Sequence, residues 1–226
     1  MYLDVHAHQK SNETQILVGV HTKAVHPWEL TLPFDRKRFD EQWEILKANT
    51  KDIVAIGECG LDRVHEGIAS IDDQVYVLLK HFELASDLKL PIIIHSVRTH
   101  SDLLGILKKI KFQQPVMLHA FGGNEKEMHD YLKYDVTFTY GKRIFKNDSM
   151  LKITPLKNLM FETGDQAEFS IADIYQQGAK SLGMEVEKLE EQLYANFKRV
   201  FNQLDDVSAS DFIKNLNIRK SPVSYT

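Results

Sequence analysis

Residues 91–95 read Pro91-Ile92-Ile93-Ile94-His95, a proline, three β-branched apolar residues and then a histidine. So short a run of β-branched side chains favours a strand, and one that is apolar throughout must be covered on both faces. Upstream, residues 72–88 carry Val75, Leu78, Leu79, Phe82 and Ala85 at three- and four-residue steps, an apolar stripe along one helix face. Downstream, residues 101–111 repeat that stripe with Leu103, Leu104, Leu107 and Ile110, and residues 115–119 return to a short apolar run. Strands alternating with helices of this length predict successive βα units and a parallel sheet.

The same alternation extends along the chain. Strands are predicted over 2–6, 15–21, 53–57, 91–95, 115–119, 136–140 and 158–162. A helix over 36–49 places Phe39, Trp43, Leu46 and Lys47 near one face. Two more follow over 171–182, with Asp165 or Ser170 near its N-cap, and over 186–203. The predicted class is α/β and TIM-barrel-like, with about seven strands, one fewer than a complete barrel. The short polar stretch from Gln9 to Thr14 has no room for a crossover helix. Either the barrel is incomplete there or its first two strands are not neighbours. One domain over 1–207 accounts for the pattern. Residues 208–226 form a tail with little to bury, apart from one short helical turn at 211–215.

Composition narrows the function classes. Hydrophobic residues make up 43% and charged residues 27%, enough for a packed core and too apolar for global disorder. A net charge of -4 gives no broadly basic surface, so a nucleic-acid partner has to meet a local patch. With the single cysteine, Cys59, no intrachain disulfide forms, and a reducing cytoplasm is the expected location. The first residues lack the pattern of a signal peptide, and no apolar stretch is long enough to span a bilayer.

The polar groups sit at strand ends. His6 and His8 end the first strand two residues apart, so both imidazoles point to one side. Glu58 follows Ile53-Val54-Ala55-Ile56-Gly57, His95 follows Ile94, His119 follows Leu118, and Glu162 and Asp165 follow Phe161. In a parallel barrel these ends share one face, where active sites form. Strands that simply turn polar on leaving the core explain one or two carboxylates, but not three separate strands ending in histidine. Imidazole and carboxylate together suit a divalent ion, with Zn²⁺, Mn²⁺ and Mg²⁺ all compatible.

The motifs Asp4-Val5-His6-Ala7-His8, His26-Pro27-Trp28, Gly57-Glu58-Cys59-Gly60-Leu61-Asp62, Pro91-Ile92-Ile93-Ile94-His95, Leu118-His119-Ala120-Phe121-Gly122-Gly123 and Phe161-Glu162-Thr163 resemble those of the TatD family. Their order and spacing match from Val18 to about Phe201. The resemblance implies a TIM-barrel-like metal-dependent hydrolase, of a family that includes deoxyribonucleases. It implies that His6 and His8 hold one metal, that His95 and His119 hold a second, and that Glu58 bridges them. Two departures stand out. The helix and strand that usually separate the His-x-His and His-Pro motifs are missing. The family's Glu-Thr-Asp is here Glu162-Thr163-Gly164-Asp165, so Asp165 falls one residue late. A turn at Gly164 is expected to swing Asp165 back into the pocket as ligand and proton acceptor, with Glu58 as the other catalytic carboxylate.

Arg98, Arg143 and Lys146 are the candidates for substrate contact, although Arg98 lies one residue beyond the family's His-x-Arg spacing and the cluster of Lys142, Arg143 and Lys146 also fits solvated charge. His26-Pro27-Trp28 either lines the pocket or is a structural loop. His21, His65, His81, His100 and His129 are expected on the surface or in ordinary packing, and Cys59 in packing. The expected activity is phosphodiester hydrolysis by metal-activated water, with DNA or another phosphodiester as partner. The alternatives are hydrolysis of small phosphoesters or amides on the same centre, and a metal-binding protein without turnover.

Overall fold

The structure, a computed structural model, describes residues 2–11, 14–165 and 168–202. The strands are β1 (Leu3–Ala7), β2 (Thr14–Leu17), β3 (Thr22–Lys23), β4 (Ala55–Asp62), β5 (Ile92–Val97), β6 (Val116–Leu118), β7 (Thr137–Tyr140) and β8 (Leu159–Phe161). The helices are α1 (Arg36–Ala48), α2 (Ile71–Leu88), α3 (His100–Ile110), α4 (Glu125–Leu132), α5 (Ser149–Ile153), α6 (Ile171–Leu182) and α7 (Val186–Val200). β1 pairs with β2, β3 to β8 form a second sheet in sequence order, and every pairing is parallel. The α/β, TIM-barrel-like expectation holds. The predicted turn at 211–215 and the tail over 208–226 lie outside the described residues.

Two expectations for the first strands need correction. β1 and β2 are neighbours, pairing Leu3 with Thr14 and Ala7 with Leu17 across a one-residue shift, although no helix joins them among the described residues. Running back along a strand of five residues takes only about 16 Å, which roughly six extended residues span. Gln15 ties this short return down: its side chain accepts from the Ser11 amide at 2.6 Å and donates to the Gln9 carbonyl at 2.9 Å. The run over 15–21 is also not one strand. The chain turns after Leu17, with Gly19 at a positive φ of 76°, and the His21 ring accepts from the Leu17 amide at 2.9 Å. That turn divides the run into β2 and β3, and β3 pairs with β4.

The ends of the ring meet at β8 and β1. Ala7 bridges to Gly164, the Gly164 amide donates to the His6 carbonyl at 2.9 Å, and the His8 amide donates to the Gly164 carbonyl at 3.1 Å. Asp4, buried on β1, accepts from the Thr163 hydroxyl at 2.6 Å and the Thr163 amide at 3.1 Å. Counting β2 and β3 as one position, the circuit has the seven expected places.

Strand alternation then decides which side chains face inward. Ile92 and Ile94 pack with the helices, whereas Ile93, Met117 and Met160 share the other buried cluster. His95, His119 and Glu162 each lie two residues beyond one of these, and so continue its face. The helices start on side-chain caps: Asp35 for α1, Ser70 for α2, Asn124 for α4 and Ser170 for α6. α7 locks the lower end, where Asn196 donates to the Leu156 and Leu159 carbonyls at 2.6 and 2.7 Å.

His81 is not a surface residue. It is fully buried on α2, with Nδ1 2.8 Å from the Val77 carbonyl, and its Nε2 accepts from the Val25 amide at 2.9 Å. It therefore anchors the segment that leads into His26. Burial pushes its imidazole down to about 4 from an ordinary 6.5. The unfolded chain binds a proton below 6.5 while the folded one does not, so stability present above that pH is lost as pH falls through 4. The loss is expected to approach about 3 kcal/mol. Urea midpoints of wild type and His81→Gln at pH 7 and pH 4 check it. Equal acid losses in both proteins would refute the assignment.

Candidate metal centre and cleft

Glu58 sits at the centre of the strand-end face. β4 is irregular between Ile56 and Cys59, and Gly57 adopts a φ of 145° where a Cβ would meet the Ile93 side chain at 2.6 Å. Only glycine fits there, and the irregularity delivers the buried Glu58 carboxylate to the ring interior. Oε2 is 3.0 Å from His6 Nε2 and 3.3 Å from His8 Nε2. Oε1 is 3.1 Å from His95 Nδ1, 3.2 Å from His26 Nε2 and 3.7 Å from His119 Nε2. Burial alone would raise this carboxyl, but hydrogen bonds from His26, His6, His8 and His95 hold it well below the usual carboxylate range.

Buried carboxylates flank the outer histidines. Asp62 Oδ2 is 3.1 Å from His95 Nε2 and accepts from the Trp28 indole at 2.8 Å. Burial would raise Asp62, but the bonds from Trp28, the Val64 amide and His95 bring it to about 2. A proton held on His95 Nε2 by Asp62 leaves Nδ1 as the atom that faces Glu58. Glu162 faces His119 from the other side, with Oε1 2.8 Å from Nδ1, an ion-pair contact, and Oε2 accepting from the Thr139 hydroxyl. Burial would lower His119, yet the charge on Glu162 pushes it up to about 9. Burial and the neighbouring His119 push His6 down, which keeps it in the neutral form that binds cations, and its buried Nδ1 has no hydrogen-bond partner.

These groups suit a divalent cation. Among the described residues, His6, His8 and Glu58 form one set with ligand atoms within 4.8 Å of one another, and His26, Glu58 and His95 form another. Glu58 belongs to both. His119 belongs to neither set: its ring lies 4.0 Å from that of His6 and 6.4 Å from that of His95, and His26 takes a position that the motifs left open. The chain thus carries a candidate divalent-metal site of N and O donors.

The centre opens into a cleft of about 1300 Å³, lined by His8, His26, Trp28, Arg98, Arg143 and Asp165 among others. Gly164 has the expected positive φ, 65°, and Asp165 follows it at the cleft wall, exposed and close enough to help raise His119. Arg98 and Arg143 have no ion pair among the described residues, and Arg143 lies over Gly122. Lys146 is exposed but is not among the lining residues. Lys142 lines the cleft and lies 4.0 Å from Glu168. His65 stacks on Trp28, and His100 lines the cleft beside Tyr131. Cys59 is buried and burial pushes its thiol well up, as suits a packed residue.

A family profile described as TatD related DNase matches residues 4–202, a span that includes every one of these histidines. The chain belongs to the TatD-related DNase family. Among curated TatD relatives, the 3'-5' ssDNA/RNA exonuclease TatD of Pantoea ananatis is 27% identical over 154 residues, covering 64% of this chain and 55% of that protein. The same enzyme of Erwinia amylovora is 29% identical over 127 residues, covering 56% of this chain and 46% of its own length. The chain thus spans about half the length of the curated relatives it matches. Among solved structures, the Escherichia coli TatD homologue YjjV superposes with a TM-score of 0.68 at 22% identity, covering 80% of this chain and 76% of its own, and supports the TatD fold.

Proposed function

We propose that this chain hydrolyses phosphodiester bonds in single-stranded nucleic acid, working from an end, with two divalent cations of the Mg²⁺, Mn²⁺ or Zn²⁺ class. The observation that carries the reading is Glu58, one carboxylate contacted on both oxygens by imidazoles at the floor of an open cleft. Bound cations supply Lewis-acid polarisation of a phosphoryl oxygen and lower the pKa of water. His6 and His8 hold one cation, and His95 holds the other with His119 or His26. Asp62 and Glu162 keep the ligand nitrogens aimed inward. Asp165 takes the proton of the attacking water, and Arg98 and Arg143 orient the phosphates. The bacterial relatives named as 3'-5' ssDNA/RNA exonucleases support the single-stranded substrate. Among the described residues no helix is long and apolar enough to cross a membrane.

Gly164 at the family's aspartate position favours a second reading, a protein that binds metal without turnover. A labelled single-stranded oligonucleotide incubated with Mn²⁺, Mg²⁺ or Zn²⁺ separates the two: progressive shortening supports hydrolysis, and metal uptake without cleavage supports the second. Metal content tests the ligand sets. The double variant His6→Ala and His8→Ala is expected to lose one equivalent by elemental analysis, and His95→Ala to weaken the other at least tenfold. Unchanged metal content in the double variant would remove the assignment.

A further inference from the structure

Trp28 is 47% exposed, yet it is held rigidly. Its indole N–H donates to Asp62 at 2.8 Å, and His65 covers one side of the ring, with centroids 4.4 Å apart and planes 14° from parallel. Trp28 itself lines the cleft, whereas His65 does not. The ring is 5.7 Å from the His95 ring and 4.9 Å from that of His26, whose Nε2 contacts Glu58. That places a fixed aromatic surface within one nucleotide of the reacting centre.

We propose that Trp28 is the stacking platform for the terminal nucleobase of a single-stranded substrate, an inference that rests on the nuclease reading. Arg98 and Arg143 serve the charged backbone from the ends of β5 and β7, and Trp28 serves the base from the segment after β3. A terminal base of a duplex is tied to its pairing partner and cannot turn into the cleft alone, so a platform at this position selects unpaired ends. Stacking is tolerant of base identity because every base has a π-face. The competing role is a strut: Trp28 does no more than hold Asp62, and through it His95.

Trp28→Ala and Trp28→Phe separate the roles, because both remove the bond to Asp62 and only the second keeps a ring. The substrates are two oligonucleotides identical except that one ends in an abasic 3' residue. Wild type is expected to show a KM roughly tenfold lower for the base-bearing strand. Trp28→Ala is expected to abolish that preference, and Trp28→Phe to keep most of it. Equal KM values in wild type, or equal impairment of the two variants, would leave Trp28 a strut. Cleavage of neither strand by wild type would defeat the nuclease reading instead. Trp28 emission in a Trp43→Phe background then decides on the platform alone: quenching by the base-bearing strand but not by the abasic one supports it, and no quenching overturns it.

Discussion

Glu58→Gln is expected to weaken both metal positions together, each by roughly a hundredfold or more, and to carry turnover down with them. The reason is geometric. Oε2 faces His6 and His8, and Oε1 faces His95 and His26, so the same side chain completes both ligand sets. A neutral amide offers one oxygen in place of two, and its NH₂ group points a donor at imidazoles that also need acceptors. The glutamine has nearly the same volume, so the fold is expected to survive, which a thermal melt checks. Calorimetric titration with Mn²⁺ decides the matter. One equivalent retained at wild-type affinity would show that Glu58 serves a single ion.

Asp165→Asn is expected to lower turnover by about a hundredfold to ten-thousandfold while leaving the His95 position loaded. Asp165 follows Gly164, whose amide and carbonyl are tied to His6 and His8. The same ties bring position 164 itself close to the centre: a Cβ there would lie 3.7 Å from His119 Cε1 and 3.8 Å from Glu162 Oε1. A carboxylate built on Gly164 therefore starts toward the histidines. Gly164→Asp is expected to be tolerated, since aspartate enters the left-handed region more readily than most residues, at a cost of about 1 kcal/mol. Adding it to Asp165→Asn is expected to restore much of the lost rate. Full activity in Asp165→Asn alone would mean that another group takes the proton.

The regular parts of the site were legible because period-two alternation carries a buried face straight to the strand end. Ile93 leads to His95, Met117 to His119 and Met160 to Glu162. What stayed open lies where backbone irregularity or a loop supplies the group. His26 and Trp28 arrive on a segment anchored by His81, a contact between residues 56 positions apart that no local pattern encodes. Asp62 ends the motif that begins at Gly57, but its role depends on the indole and imidazole that converge on it. The contact of Glu162 with His119 joins the ends of β6 and β8, which no local pattern in either strand encodes. The division of residues 15–21 followed from Gly19 and the His21 ring bond, against a β-rich composition that reads as continuous. α4 had a usable signal, since Asn124 and Glu127 form a reciprocal cap, a pattern recognisable as Asn-x-x-Glu.

The tie between β1 and β8 also sets an order of events in the cell. Asp4 and Thr163 are 159 positions apart, so the strand that leads to His6 and His8 is made well before the strand that fixes it. At ordinary rates of synthesis the two are separated by roughly ten to thirty seconds. During that interval β1 has β2 on one edge but lacks the Thr163 and Gly164 contacts that fix the other. The arrangement that sets His6 and His8 beside Glu162 and Asp165 is therefore complete only once β8 has been synthesised.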